Sequence, residues 1–263
     1  MVVSREPIHE QILPYIRQDI IEGRWAPGER LPEPLLCKAF GISRTPLRDA
    51  LKILEAEGFV ELVPHVGAVV TDPSLPDVAE KMEILSALEQ LAAEKIAQTR
   101  PSEALATIRD LHARMTEAAA ARDAETYYRL NDDFHRAIVT GTGNKTLMDM
   151  HERIMWHVHR ARHRANDYER LDEDAAEHHD LIVRHILAGG ATGAAKAMRQ
   201  HLHTVTETIL SQHMPDARDA STHTAAGTAA NGTAREEDVQ RMGKPRTQPR
   251  AAGSRPRGRR AAH

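Results

Sequence analysis

The sequence predicts a mainly α-helical protein in which an N-terminal winged helix-turn-helix precedes an all-α helical bundle. Three observations support this fold class. Apolar residues recur at helical spacing over residues 8–21 and through most of residues 77–213. Runs with strand character, by contrast, are confined to residues 59–63 and 68–70. Glycine and proline mark short breaks between successive helices, which is the connectivity of a helical bundle.

The composition narrows the classes of protein to which the chain can belong. Its 263 residues are enough for two modest domains, and its formal net charge is -3. The single cysteine, Cys37, excludes an internal disulfide and fits a reducing cytosol. The sequence shows neither the apolar core of a signal peptide nor a run of the roughly eighteen apolar residues that cross a bilayer. We therefore expect a soluble, cytoplasmic protein with no membrane partner.

Shifts in composition divide the chain into four segments. We expect a winged helix-turn-helix domain at residues 1–72, a proline-containing linker at 73–76, a helical domain at 77–213 and a disordered tail at 214–263. The net charge alone argues against a nucleic-acid binder, because such proteins usually carry a basic surface. The tail holds ten basic and five acidic residues, however, so the total conceals a basic segment.

The first 72 residues predict three helices followed by a hairpin. The helix at residues 8–21 ends before Gly23, a residue that commonly terminates helices. A second helix over residues 32–40 is separated by a tight glycine turn from a third, for which Ser43 is the predicted N-cap. Pro46 falls in the first turn of the third helix, where its missing N–H costs nothing. The two strands that follow complete the order of a winged helix.

The third helix bears a stripe of cations. Arg44, Arg48 and Lys52 fall at positions i, i+4 and i+8, so they share one face while leucines line another. Arginine is the side chain best suited to bind guanine in the major groove, and Thr45 can reach a phosphate or a base edge. The pattern therefore indicates DNA binding, with the hairpin as a wing. The alternative is an exposed cationic face on an ordinary helix.

Three segments of this region match a known family pattern. They are GRWAPGERLPE at residues 23–33, GISRTPLRDAL at 41–51 and LEAEGFV at 54–60. The chain closely resembles the winged-helix domain of GntR-type transcription regulators. The resemblance implies a homodimer that binds a palindromic operator in double-stranded DNA through Arg44, Thr45, Arg48, His65 and Gly67. The last two lie at the wing tip, and both suit close approach to phosphates or the minor groove. Pro34 is a departure, because the family often has a DNA-contacting arginine there.

Histidine is concentrated in the helical segment, where 12 of the 16 lie. Asn131 and His135 are four residues apart on one predicted helix and therefore share a face. His179 and His201 lie on two later helices. Three imidazoles and an amide oxygen from three helices can converge inside a bundle on Zn²⁺ or another borderline divalent ion. The alternative is that these histidines only satisfy a polar core.

Four further segments match a second pattern. They are NDDFHRAI at residues 131–138, GN at 143–144, EHHDLI at 177–182 and AMRQHL at 197–202. They resemble the all-helical ligand-binding domain of the FadR subfamily, often called FCD. In metal-binding members the resemblance implies a divalent ion, Zn²⁺ with Ni²⁺ or Mn²⁺ as alternatives, and a small organic acid on its open positions. The ligands implied are Asn131, His135, His179 and His201.

Two positions depart from that subfamily's usual residues. Asn131 removes the negative charge that an aspartate would bring to the metal. Leu85 stands where many relatives have an arginine, within the motif Glu-x-Arg-x-x-Leu-Glu that here runs from Glu83 to Glu89. A customary anion clamp is therefore absent. We expect an effector that is smaller, more apolar or held by another cation.

The run WHVHRARHR at residues 156–164 is the densest cationic patch of the helical domain. We expect it to form a solvated helix face or a dimer contact. In the alternative, one of its residues points inward at the effector.

The two resemblances together predict a ligand-responsive transcription regulator, a repressor by default, and not an enzyme. One alternative is a metal-dependent hydrolase that uses the three histidines to activate water. Against the hydrolase, the only candidate general bases near the ligands in sequence are Asp132, Asp133 and Glu177. A second alternative is a sensor that binds no metal.

Overall fold

The computed structural model describes residues 6–165 and 173–212, and its fold class is the predicted one. The winged-helix elements are α1 (Ile8–Ile21), α2 (Glu33–Phe40), α3 (Arg44–Ala56), β1 (Val60–Val63) and β2 (Gly67–Val70). The helices that follow are α4 (Leu75–Thr99), α5 (Ser102–Ala120), α6 (Ala124–Thr140), α7 (Lys145–Ala165), α8 (Glu173–Ala188) and α9 (Ala191–Gln212). Within these ranges, no helix is both long and apolar enough to cross a membrane. The break predicted near residues 166–167 and the predicted tail lie outside the described residues.

The turn between α2 and α3 sets the angle of the helix-turn-helix. Gly41 ends α2 in the left-handed conformation, with φ 65°, and its N–H donates to carbonyl oxygens of the last turn. Ser43 is the N-cap of α3 as predicted, with extended backbone, although its hydroxyl makes no capping hydrogen bond. The hairpin is antiparallel, with Val60 opposite Val70 and Val63 opposite Gly67.

The first bundle helix begins earlier than the composition suggested. Ser74 and Asp77 form a capping box, in which each side chain accepts a hydrogen bond from the backbone N–H of the other. The helix α4 therefore starts at Leu75, inside the segment predicted as a linker, with Pro76 tolerated in its first turn. As a result, only a few residues of irregular backbone join the wing to the bundle.

Each half of the chain has its own apolar core. The winged-helix core includes Ile16, Leu36 and Phe59, which have almost no exposed surface. The bundle core is lined by apolar residues of α4 to α9, and Phe134 and Ile182 are among its fully buried members. The long helix α7 contacts both halves, packing against α1 on one side and against α4 and α6 on the other. It is therefore placed to connect them.

Candidate metal centre and DNA-binding surface

The helix α3 turns its cations outward because its apolar face is fully committed to the core. Its buried residues are Leu47, Ala50, Leu51 and Leu54. The predicted contact residues Arg44, Thr45 and Arg48 are all exposed on the opposite side, as is Lys52. This is the arrangement in which a second helix of a helix-turn-helix enters the major groove with its polar face free.

Two of the three cations on α3 have acidic partners. Arg48 Nε lies 3.2 Å from Glu33 Oε2 on α2, and Lys52 Nζ lies 3.3 Å from Asp49 Oδ1. Arg44 has no ion-pair partner within the described part of the chain. It is the cation of this face most available to a phosphate or a base.

The wing tip places both predicted contact residues in special backbone conformations. His65 is exposed and has φ 62°, and Gly67 has φ 108°, which is the region that favours glycine. A Cβ atom on Gly67 would lie 3.6 Å from Arg30 Nε, so the Arg30 side chain runs along the wing. Arg30 was missed by the sequence reasoning, because its place beside the wing depends on its bridge to Val69.

The bundle brings the three predicted histidines together. His135 on α6, His179 on α8 and His201 on α9 each offer a ring nitrogen, and these atoms lie within 4.8 Å of one another. The three residues are only 4%, 1% and 2% exposed. His135 Nε2 and His201 Nε2 are 3.2 Å apart, and the rings of His179 and His201 have centroids 4.4 Å apart. The cluster is therefore enclosed by the bundle.

A carboxylate that the sequence reasoning did not select completes this cluster. Glu89 on α4 is 1% exposed, and its Oε2 accepts a hydrogen bond from His135 Nδ1 at 2.5 Å. Its other oxygen, Oε1, lies 2.9 Å from Nε2 of His151 on α7. A carboxylate that holds Nδ1–H of a histidine leaves Nε2 free as a ligand and fixes the ring. The sequence feature that could have indicated Glu89 is an acidic residue at a position of α4 that faces the core.

Burial favours the neutral form of two of the three imidazoles, those of His179 and His201. Burial lowers the pKa of His179 well below its usual value, and the nearby His135 adds to the effect. Burial also lowers the pKa of His201, with His179 and His135 contributing. Burial alone would raise the pKa of Glu89, but the imidazoles of His135 and then His151 outweigh it and hold that pKa below its usual range. Neutral imidazole is the form that binds a metal.

Two ring nitrogens of the cluster have no hydrogen-bond partner among the described residues, which is consistent with a site for a divalent cation. His179 Nε2 and His201 Nδ1 are buried and make no hydrogen bond within the described residues. Buried polar atoms normally have partners, so such orphaned nitrogens indicate a missing one. Three imidazole nitrogen donors with a carboxylate behind one of them suit Zn²⁺ and other borderline divalent ions. The residues present therefore match the group that the FCD resemblance implies.

The other residues that the sequence singled out around the triad differ in burial and in position. Asn131 is buried one turn before His135 on α6, on the face that the spacing predicted. Leu85 is buried in the core, so the clamp position of many relatives is apolar here. His178 is half-buried, with its ring centroid 6.1 Å from that of His201, whereas Glu177 is exposed. The carboxylate closest to the ligands is Glu89 and not one of the three that the sequence suggested.

Part of the cationic run of α7 is buried, so the run as a whole is not a solvated helix face. Arg160 and Arg162 are only 3% and 6% exposed. Asp132 on α6 contacts two residues of this run. Its Oδ2 lies 3.1 Å from His159 Nε2, and its Oδ1 lies 3.6 Å from Arg162 Nη1. Burial would raise the pKa of Asp132, but His159 and Arg162 lower it overall. The run therefore includes buried residues that contact other elements and an exposed one, His163.

Comparison with known proteins identifies the family. A model described as "Bacterial regulatory proteins, gntR family" matches residues 8–70, and a model of the FCD domain matches residues 80–204. The HTH-type transcriptional regulator YdhC of Bacillus subtilis is 31% identical over 196 residues, which cover 69% of this chain and 87% of YdhC. The chain belongs to the gntR family. It is a transcription regulator of the FCD subfamily, and such regulators are not enzymes.

Further relatives of this GntR regulator agree with the assignment. The probable D-xylose utilization operon transcriptional repressor of Paenarthrobacter nicotinovorans is 30% identical, over 76% of this chain and 88% of that protein. Among solved structures, E. coli McbR/YncC has a TM-score of 0.64 at 21% identity, over 80% of this chain and 99% of that one. A transcriptional regulator GntR from Rhodococcus sp. RHA1 has a TM-score of 0.63 at 23% identity, over 77% and 97%. These two structures share the fold.

Proposed function

We propose that this GntR regulator is a cytoplasmic repressor that binds a palindromic operator as a homodimer and responds to a small carboxylate metabolite. The observation that supports it best is the combination of two sites in one chain. A winged helix exposes Arg44, Thr45 and Arg48, and the attached bundle encloses a triad of histidines. Two relatives named as repressors favour repression over activation.

The proposed DNA contacts are the exposed side chains of α3 together with the wing tip. The winged-helix segment is itself acidic, so its affinity for DNA has to come from local cations and not from a basic domain. Arg44 and Arg48 supply guanidinium groups for guanine O6 and N7, and Thr45 a hydroxyl for a phosphate. His65 and Gly67 bring the wing backbone to the adjacent groove.

The proposed metal ligands are Asn131, His135, His179 and His201. Bound there, Zn²⁺, or alternatively Ni²⁺ or Mn²⁺, supplies a Lewis-acidic cation to which a carboxylate oxygen can bind. Neutral histidines leave the centre positively charged, so an anionic effector is favoured electrostatically. Glu89 orients His135 from behind. With Leu85 in place of an arginine, this position offers the effector no cation, so we expect an effector that is smaller, more apolar or held by another cation.

A thermal-shift screen of small carboxylates, with and without chelator, tests the effector half of this proposal. We expect a carboxylate that raises the Tm only in metal-loaded protein and that also weakens binding to DNA from the gene's own upstream region. Scrambled DNA of equal length is the control for the DNA readout. Stabilisation by the same acid in chelator-treated protein would instead favour the metal-free sensor. A protein with no preference for its upstream DNA would contradict the repressor assignment.

A further inference from the structure

One carboxylate joins the histidine triad to the helix that touches the winged helix. Glu89 accepts from His135 Nδ1 at 2.5 Å with one oxygen and from His151 Nε2 at 2.9 Å with the other. All three side chains are nearly inaccessible to solvent. His135 belongs to α6 and His151 to α7, so the orientation of a triad member is tied directly to α7.

The other half of α7 packs on the winged helix. The ring of His157 stacks on Phe59, with centroids 4.6 Å apart and planes within 6°. The guanidinium of Arg17 on α1 lies 3.6 Å from the centre of the Trp156 ring. Arg160 donates from Nη1 to Thr71 Oγ1 at 3.0 Å and from Nη2 to the Thr71 carbonyl. These contacts reach α1, the residue just before β1 and the residue just after β2.

The contact of His151 with Glu89 and the contacts of α7 with the winged helix are close together on one continuous helix. Residues 151 and 160 are nine positions apart in one helix, which is about 14 Å at 1.5 Å per residue. A cavity of about 190 Å³ lies beside this stretch, and His151 and Trp156 both line it. The packing of α7 against α6 is therefore incomplete along this stretch.

We propose that α7 transmits occupancy of the histidine centre to the winged helix, with the Glu89–His151 hydrogen bond as its input and the contacts of His157 and Arg160 as its output. The inference rests on the metal centre of the proposed function. Its physical basis is the chain of contacts from His135 through Glu89 to His151. A cation held by the triad would fix the ring of His135, and Glu89, which is hydrogen-bonded to that ring, would be fixed in its position beside His151.

Hydrogen exchange of the full chain tests this coupling without a mutation. Chelator-treated protein is compared with the same protein after one equivalent of Zn²⁺, which has no redox chemistry. We expect exchange to slow by about fivefold or more over residues 156–163 and 59–71, as well as around the ligands. Slowing confined to the helices that bear the ligands, α6, α8 and α9, would overturn the proposal.

The variant His151→Leu isolates the input. It removes the donor to Glu89 while leaving the three histidines intact, and the exposed Glu152→Gln on the same helix is the matched control. We expect His151→Leu to bind Zn²⁺ stoichiometrically but to lose the slowing over residues 59–71, and Glu152→Gln to keep it. If Zn²⁺ still slows hydrogen exchange over residues 59–71 in His151→Leu, the Glu89–His151 hydrogen bond is not the input. A parent protein that binds no Zn²⁺ overturns the metal centre and this inference with it.

Discussion

Arg48 on α3 is held by Glu33 at the start of α2, with Arg48 Nε 3.2 Å from Glu33 Oε2. Arg48 is largely exposed, whereas Glu33 is mostly covered. A carboxylate beside the DNA-facing surface opposes the phosphates, yet it also restricts the rotamers of a long side chain. We therefore expect the pair to weaken the overall attraction of this surface for DNA while it orients the Arg48 side chain. Charged groups at interfaces generally contribute more to specificity than to affinity.

The variant Glu33→Gln separates these two effects. We expect it to strengthen binding to non-specific DNA, because a negative charge near the phosphates is removed. The ratio of operator to non-specific affinity should fall by roughly tenfold, since a well-placed arginine–guanine pair contributes about 1–3 kcal/mol of discrimination. Fluorescence anisotropy at fixed salt measures both. Glu61→Gln, an exposed charge of the same domain, is the control and should leave the ratio unchanged; an unchanged ratio in Glu33→Gln would remove its positioning role.

Truncation of the outward arginines tests the surface of α3 itself. We expect Arg44→Ala and Arg48→Ala each to weaken operator binding by about 1–3 kcal/mol without lowering the Tm, because neither side chain is part of the core. A gel shift at fixed salt, together with thermal unfolding, checks both halves. Arg114→Ala on α5 removes the same charge far from α3 and should bind normally. Equal losses in all three variants would indicate a general charge effect instead of contacts.

The DNA-binding half could be predicted from sequence because its determinants are local. The spacing of Arg44, Arg48 and Lys52 and the turn at Gly41 fix the exposed face within one helix-turn-helix. The first helix has the predicted bounds, Ile8–Ile21, for the same reason. The Arg48–Glu33 pair could not be predicted, since it depends on the angle between two helices.

The histidine centre was predictable only in part. The family resemblance pointed to His135, His179 and His201, but no spacing rule links Glu89 to a histidine 46 positions away. His151 was missed for the same reason, and so was the burial of Arg160 and Arg162 in the cationic run of α7. The winged helix packs against this run, although it lies far away in the sequence: Arg17 contacts Trp156, and Phe59 stacks on His157. Tertiary packing, not periodicity, decides these positions.

Removal of one triad member should abolish metal-dependent stabilisation. We expect His135→Ala to bind less than a tenth of the Zn²⁺ of the parent by elemental analysis and to lose the chelator-sensitive part of its Tm. A ligand at about 1,000 times its Kd stabilises a fold by about 4 kcal/mol, so the loss is measurable. The exposed His203→Ala on α9 is the control. Full Zn²⁺ retention in His135→Ala would contradict the triad as the site.

Stability should fall in mild acid through His157. Burial, and then the charge of Lys81, lowers the pKa of its imidazole to about 4, against about 6.5 for the unfolded chain. Between these values the unfolded state binds the extra proton, so stability is full above about pH 6.5 and is lost as the pH falls towards 4. From pH 7 to pH 5 this residue alone should cost about 2 kcal/mol.

Urea unfolding followed by tryptophan fluorescence measures this effect, because Trp25 and Trp156 both pack with the winged-helix core. His179 and His201 also have lowered pKa values and destabilise in the same direction, so the comparison must be between variants. We expect His157→Phe, which keeps an aromatic ring on Phe59 but cannot be protonated, to lose about 2 kcal/mol less than the parent between pH 7 and pH 5. The exposed His163→Gln on the same helix should behave as the parent does. Parallel losses in the parent and in His157→Phe would assign the acid sensitivity to other groups.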